Sequence, residues 1–358
     1  MTGIYLHIPF CKSKCPYCDF YSTAYAPDRL GAYQAALERE MERYRGVVAD
    51  TLYFGGGTPS LLSGSQFSEL IDTARDCFLL RDAEITTEAN PAELSYSYLE
   101  ELQRAGINRL SIGIQSLSER ELSYLGRRHT AKEALSALRR ARKVGFTNLS
   151  VDLMLGIPEQ TPESLRRTLS LLEPMELTHL SAYLLTIEPN TPFGRTPPPC
   201  PGEEETVALY LTAVEQLETM GLAQYEISNF ARPGYSCRHN LKYWTQEPYL
   251  GFGSSSHSFW KGERRYHPAY VDDYLHRPER TIFLEPGGDP EEWLTLRLRL
   301  REGVLWDQAE KRGFSIELLR DKTRRLIQEG LAFPLSGRTA LTPKGMLLSN
   351  AVILSFLE

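Results

Sequence analysis

Ile4-Tyr5-Leu6-His7-Ile8-Pro9-Phe10-Cys11-Lys12-Ser13-Lys14-Cys15-Pro16-Tyr17-Cys18-Asp19-Phe20 stands almost at the start of the chain, an apolar run that stops at a proline and opens into three cysteines at CxxxCxxC spacing. Three thiolates within eight residues can wrap one small inorganic object. Iron-sulfur clusters take thiolate ligands, and a cubane held by three cysteines keeps one iron for another ligand. A structural zinc would call for a fourth Cys or His close by. Tyr17, between the last two cysteines, and Phe20 after them are expected to shield such a cluster from water, which tunes its potential and slows its oxidation.

Outward from this stretch the sequence alternates short apolar runs with longer amphipathic ones. Candidate strands cover residues 4–8, 51–54, 84–88, 109–114, 149–153 and 180–184, and stretches of helical period cover 30–44, 66–77, 96–105, 131–144 and 162–172. Thr130 and Thr161 read as helix N-caps, with Glu133 and Ser164 three positions on and Pro162 in a first helical position. Strand and helix alternating six times predict an α/β fold, a partial (β/α)6 TIM-like barrel with helices outside. Such a barrel carries its chemistry just after the strands. There the sequence places Cys11, then Gly55-Gly56-Gly57-Thr58-Pro59, then Glu88-Ala89-Asn90-Pro91, then Gln115-Ser116, then Asp152 with Gly156-Ile157-Pro158, then Thr186 and Glu188. The glycine triplet lacks the spacing of GxxxxGK[ST] and of GxGxxG, and it permits close backbone approach to a ligand.

The 358 residues suffice for one large domain and a smaller one, and the reading divides them into a barrel core (1–190), an extension (191–285) and a C-terminal domain (286–358). Residues 187–205, rich in proline and ending in Glu203-Glu204-Glu205, read as a linker, followed by a helix at 206–220 and a strand at 225–230. Beyond residue 290, helical runs at 293–300, 307–312 and 317–329 precede short strands at 331–333 and 339–341 and a last helix after Pro343, in the manner of a winged helix. The net charge of −6 and the near balance of charge in this C-terminal part argue against nucleic-acid binding. No apolar run is long enough to span a bilayer and no signal segment is visible, so the expectation is a cytoplasmic protein. Half of the six cysteines crowd into one loop, which suits cluster or metal binding in a reducing compartment, and Cys77 reads as a packed core thiol.

The cysteine loop followed by a glycine-rich loop after the second strand resembles the radical S-adenosylmethionine superfamily, and the wider run of motifs is similar to the oxygen-independent coproporphyrinogen III oxidase-like family over essentially the whole chain. The resemblance implies a 4Fe-4S cluster on Cys11, Cys15 and Cys18, with the amino and carboxylate groups of S-adenosyl-L-methionine on the open iron. Tyr5, Gly56, Gly57, Thr58, Glu88, Gln115, Arg127 and Asp152 match the family's cofactor-binding positions, and Tyr17 joins them from the cysteine loop. Carboxylates for ribose hydroxyls and the ammonium, and an arginine for the carboxylate, are reasonable chemistry.

Two features depart from the oxidases of that family. They resemble CxxxCxxCxC, whereas Phe20 stands at the place of the additional cysteine, and they carry an extension ahead of the motif where this chain has few residues. His239-Asn240-Leu241-Lys242-Tyr243-Trp244 instead matches the HNxxYW signature of the family's heme chaperone branch. Implied by that match are His239 as an axial ligand to heme and Tyr243 and Trp244 as flat faces for the porphyrin, with Cys237 and His257 as weaker ligand candidates. The expected function is to bind heme and insert it into membrane respiratory proteins. A homodimer and peripheral membrane association are compatible with that role. The alternatives are reductive cleavage of S-adenosylmethionine to oxidise a coproporphyrinogen propionate, and a zinc-stabilised interaction protein.

Overall fold

The computed structural model describes residues 1–334 and 336–357. Six parallel strands form its centre: β1 (Thr2–Ile8), β2 (Val47–Gly56), β3 (Phe78–Ala89), β4 (Arg109–Gln115), β5 (Asn148–Leu155) and β6 (His179–Leu184). Outside them lie α1 (Pro27–Met41), α2 (Gly64–Cys77), α3 (Tyr96–Ala105), α4 (Glu119–Tyr124), α5 (Ala131–Val144) and α6 (Pro162–Leu172). Thr130 and Thr161 cap α5 and α6 in reciprocal capping boxes with Glu133 and Ser164, as the sequence predicts. On each strand one set of alternate residues packs under the helices, for example Ile4, Leu6 and Ile8, all fully buried. The opposite set, Tyr5, His7, Tyr53, Glu88, Ser111, Asp152 and Ser181 among them, lines the inside of the curled sheet.

The sheet extends beyond the six strands. Its order, in the labels used here, is β12-β11-β10-β9-β1-β2-β3-β4-β5-β6-β8-β7, with β7 (Ala223–Gln224), β8 (Asn229–Ala231), β9 (Tyr249–Phe252), β10 (His257–Trp260), β11 (Glu263–Tyr266) and β12 (Ile282–Pro286). Residues 251–258, Gly-Phe-Gly-Ser-Ser-Ser-His-Ser, look like a loop by composition but are partly strand: β9 runs parallel to β1, with Gly3 opposite Tyr249 and Tyr5 opposite Gly251. The strand expected at 225–230 is split, because the Glu226 carboxylate accepts from the Ser228 amide (2.9 Å) and the Asn229 side chain, a local pairing that competes with the ladder. Glu203-Glu204-Glu205 belong to helix α7 (Glu203–Thr219) rather than to the linker, since acidic side chains favour a helix N-terminus.

The C-terminal helices Pro290–Arg297, Trp306–Glu310, Ile316–Gln328, Pro343–Leu347 and Ser349–Leu357 enclose a second apolar core around Trp293, Leu298 and Leu341. The expected hairpin there reduces to one bridge between Ala332 and Leu341, while Val304–Leu305 pairs with Arg338–Thr339. No helix among the described residues is long and apolar enough to cross a membrane.

Candidate functional site

At the C-terminal mouth of the barrel the cysteine loop meets the ends of β2, β3 and β4. Thr58 donates to the Cys11 sulfur at 3.4 Å, and the Arg127 guanidinium lies 3.6 Å from the Cys15 sulfur while bonding the Asn90 side chain (2.6 Å) and the Gly113 carbonyl (2.7 Å). A cleft of about 260 Å³ opens here, lined by Lys12, Cys15, Thr58, Asn90, Arg127 and His129. Tyr17 leans on Phe193 with ring centroids 6.4 Å apart. Phe20, in contrast, is 71% exposed and shields nothing, because Lys14 ties its carbonyl while the ring points outward.

The glycines of the second loop are required by the protein's own walls. A Cβ on Gly55 would lie 2.9 Å from the Tyr5 ring, one on Gly56 2.6 Å from His7, and one on Gly57 2.7 Å from the Phe10 carbonyl, with Gly56 also at φ +112°. Close approach thus serves packing against β1 and the start of the cysteine loop, whatever else it admits. Glu88 accepts from Tyr53 (3.0 Å) and from the Gly56 amide (3.2 Å); burial, with Asp152 nearby, pushes its carboxyl up to about 7. Burial likewise raises Asp152, which Ser111 holds at 3.2 Å. Gln115 sits at φ +63°, a left-handed conformation that a glutamine adopts at a cost and that aims the end of β4. The turn after it is anchored by Glu121, buried on the α4 helix and accepting from Ser116 (2.6 Å) and Ser164 (2.7 Å). Sequence reading missed α4 altogether, although the spacing of Ser118 and Glu121 is an N-cap signal.

The residues fit the implied cofactors. Among the described residues no three His, Cys, Asp or Glu side chains converge on a point that could hold a single metal ion. A cubane presents separate irons to separate thiolates, so three thiols on one loop suit it without meeting at a point. Around that loop stand an arginine, two carboxylates and a glutamine, the donors and acceptors that an amino-acid sulfonium with a ribose needs.

The HNxxYW motif is elsewhere, packed rather than open. It forms helix α8 (Arg238–Thr245), which plugs the opposite, N-terminal end of the barrel. His239 is 2% exposed, its Nδ1 bonded to the Thr51 hydroxyl (2.8 Å) and its Nε2 to the Tyr243 hydroxyl (2.9 Å), and its ring stacks on Tyr5 and Tyr53. Both nitrogens of His239 are thus engaged by hydroxyls inside the protein, and in this arrangement neither faces an open space. Tyr243 meets Tyr249 edge to face, and Trp244 has the Arg299 guanidinium 4.5 Å over one face of its ring. Of the weaker candidates, Cys237 is buried under Glu84, with burial pushing its thiol up to about 11, and His257 stacks on Tyr266 at the sheet's outer part. Cys77 is packed in the core as expected.

Comparison with known proteins agrees with this architecture. The model of the radical SAM superfamily matches residues 5–172. Over its whole length the chain is 35% identical to the heme chaperone HemW of Bacillus subtilis, covering 99% of that protein, and over 99% of its length it is 36% identical to the heme chaperone HemW of Escherichia coli, covering 98%. The HemW of Mycobacterium tuberculosis is 33% identical over 99% of the chain and 94% of its own length. Among solved structures, the radical SAM enzyme coproporphyrinogen III oxidase (HemN) of Escherichia coli superposes with a TM-score of 0.82 at 23% identity, over 99% of this chain and 89% of that one, a likeness of fold.

Proposed function

Because the chain belongs to the heme chaperone branch of the radical S-adenosylmethionine superfamily, we propose that it binds heme and passes it to membrane respiratory proteins, working from the cytoplasm as a peripheral partner of the membrane. The observation that carries this reading is the full-length identity of about a third with the HemW heme chaperones, which spans the C-terminal part as well as the barrel. Phe20 at the place of the oxidases' additional cysteine supports the same choice.

Cys11, Cys15 and Cys18 would hold the 4Fe-4S cluster, and Arg127, Glu88, Gln115 and Asp152 would hold S-adenosylmethionine beside Tyr5, Tyr17, Gly56, Gly57 and Thr58. When bound, the pair supplies one-electron chemistry at the barrel mouth. The chain's own contribution is orientation and exclusion of water. Arg127 is already fixed by Asn90 and Gly113, so it meets a carboxylate without first being ordered. Glu88 takes or releases a proton near neutral pH, which couples cofactor binding to pH. Tyr5 donates to His7, whose Nε2 proton goes to the Tyr21 carbonyl; burial holds this imidazole neutral, its pKa lowered to about 4, and it fixes the wall behind Gly56.

The test sets heme binding beside coproporphyrinogen turnover on anaerobically reconstituted protein. The reading expects a heme absorbance band at stoichiometric loading, transfer of that heme to an apo-cytochrome in vesicles, and no protoporphyrinogen when coproporphyrinogen III, S-adenosylmethionine and reductant are supplied. Protoporphyrinogen formation would replace the chaperone by the oxidase.

A further inference from the structure

Arg109 opens strand β4 on the lumen face and is 1% exposed. Its Nε reaches no acceptor among the described residues. The carboxylates around it are engaged with other partners. Glu84 accepts from the Arg238 and His239 amides of α8 (3.0 and 3.3 Å), Glu88 from Tyr53 and Gly56, and Asp152 from Ser111. Burial works against the guanidinium charge, and of the groups facing it, Cys237, Glu84, Tyr53 and Tyr225, only Glu84 is a carboxylate, since burial keeps the thiol and the two phenols neutral. A desolvated guanidinium with an open nitrogen is costly unless an anion or water reaches it. Its planar fork matches a carboxylate in shape as well as in charge.

The lumen is accessible to such an anion. Tyr183, on the inward side of β6 with Ser181, keeps 42% exposure. Tyr5, Tyr53, Glu88 and Asp152 are half-buried, so solvent reaches part of the inward face, beside the stacked phenol rings of β1 and β2. Arg109 is the cation on the inward face of β4 below those residues, one register step beneath Ser111. We propose that Arg109 is the receptor for a carboxylate on a ligand occupying the lumen. On the heme chaperone reading, on which this assignment rests, that carboxylate is a heme propionate.

The test uses full-length, cluster-reconstituted protein titrated with heme and with heme dimethyl ester, in which both propionates are masked. A charge-assisted contact predicts that the wild type binds heme about tenfold or more tightly than the diester. In R109Q that preference falls to about twofold or less, while R109K, which keeps the charge and loses the fork, lies between them. Circular dichroism and iron content check that the variants are folded and loaded. A wild type that binds heme and diester equally overturns the assignment, and this comparison needs no substitution, so it holds whatever R109Q does to folding. Folded R109Q that keeps the tenfold preference overturns it as well, with heme binding intact. A wild type that binds neither form overturns the chaperone reading itself.

Discussion

Glu88 and Gly56 meet at one hydrogen bond, and each is sensitive for a different reason. The Glu88 carboxyl ionises near 7 in the folded chain against 4.5 for an unperturbed glutamate, because it is buried beside Asp152. Between those values the folded state carries a proton that the unfolded state has lost, so stability falls as pH rises from about 4.5 to 7, by about 3 kcal/mol at full effect. Urea unfolding of the cofactor-free protein at pH 5 and pH 7.5 should show that decline, and Glu88→Gln should flatten it. S-adenosylmethionine affinity should follow the opposite course, rising through the same window if the ionised carboxylate holds the ligand. At Gly56 the added methyl of Gly56→Ala would stand 2.6 Å from His7 in a left-handed backbone, a strain on the order of 1–3 kcal/mol. Calorimetry should find a lower Tm and loss of S-adenosylmethionine binding with iron content retained. The sequence carries these positions because strand-end chemistry is local: motif, spacing and inward parity can be read along a single strand. Arg109 was equally readable by parity, two residues before Ser111, yet nothing local marks an arginine as lacking a partner.

Helix α8 shows what is not legible locally. Its seat depends on Gly3, where a Cβ would come within 2.8 Å of Lys242 and 3.1 Å of His239, and on Glu84, whose carboxylate caps its N-terminus. Those contacts join residues more than 150 positions apart, as in the Cys237–Glu84 bond, so the motif's aromatic and histidine content suggested an exposed ligand site while its packing made a barrel floor. Lys242 is 3% exposed and pairs with Asp50 at 2.8 Å and Glu247 at 3.0 Å. Lys242→Met should destabilise the protein by about 3 kcal/mol, the low end for a broken buried pair, because Arg238 still faces Asp50 at 3.2 Å. Chemical denaturation measures this directly, and the double variant with Asp50→Asn should cost less than the sum of the two. If α8 is the floor, Gly3→Ala should also raise amide exchange across Arg238–Thr245 while exchange at the cysteine loop stays unchanged.

At the scale of the molecule the described residues form two apolar cores, one beneath the barrel helices and one around Trp293, bridged by the Tyr225 carbonyl accepting from the Arg301 amide at 2.9 Å and by the Glu226–Leu300 pairing. Trp293 is 1% exposed with Arg312 stacked 4.3 Å from its ring, and Trp293→Ala should cost about 3–5 kcal/mol. Hydrogen exchange should place that loss in residues beyond 290, with the barrel strands protected as before. The alternation of six strands and five of the outer helices could be read from periodicity, because each unit closes on its neighbour in sequence. The outer strands could not, since β9 to β12 join through an edge that the first strand leaves open. That edge has a consequence for synthesis. β1 leaves the ribosome ahead of the other strands described, carrying the cysteine loop, yet its second neighbour, Tyr249–Phe252, follows almost 250 residues later. For most of translation the cysteine loop therefore rides on an unpaired strand edge, and non-local pairing of this kind is slow to form. The nascent chain is thus open to cluster delivery, and to misassembly, until β9 emerges. Pulsed proteolysis of stalled translation intermediates should find residues 1–20 cleavable before residue 252 clears the exit tunnel and protected afterwards.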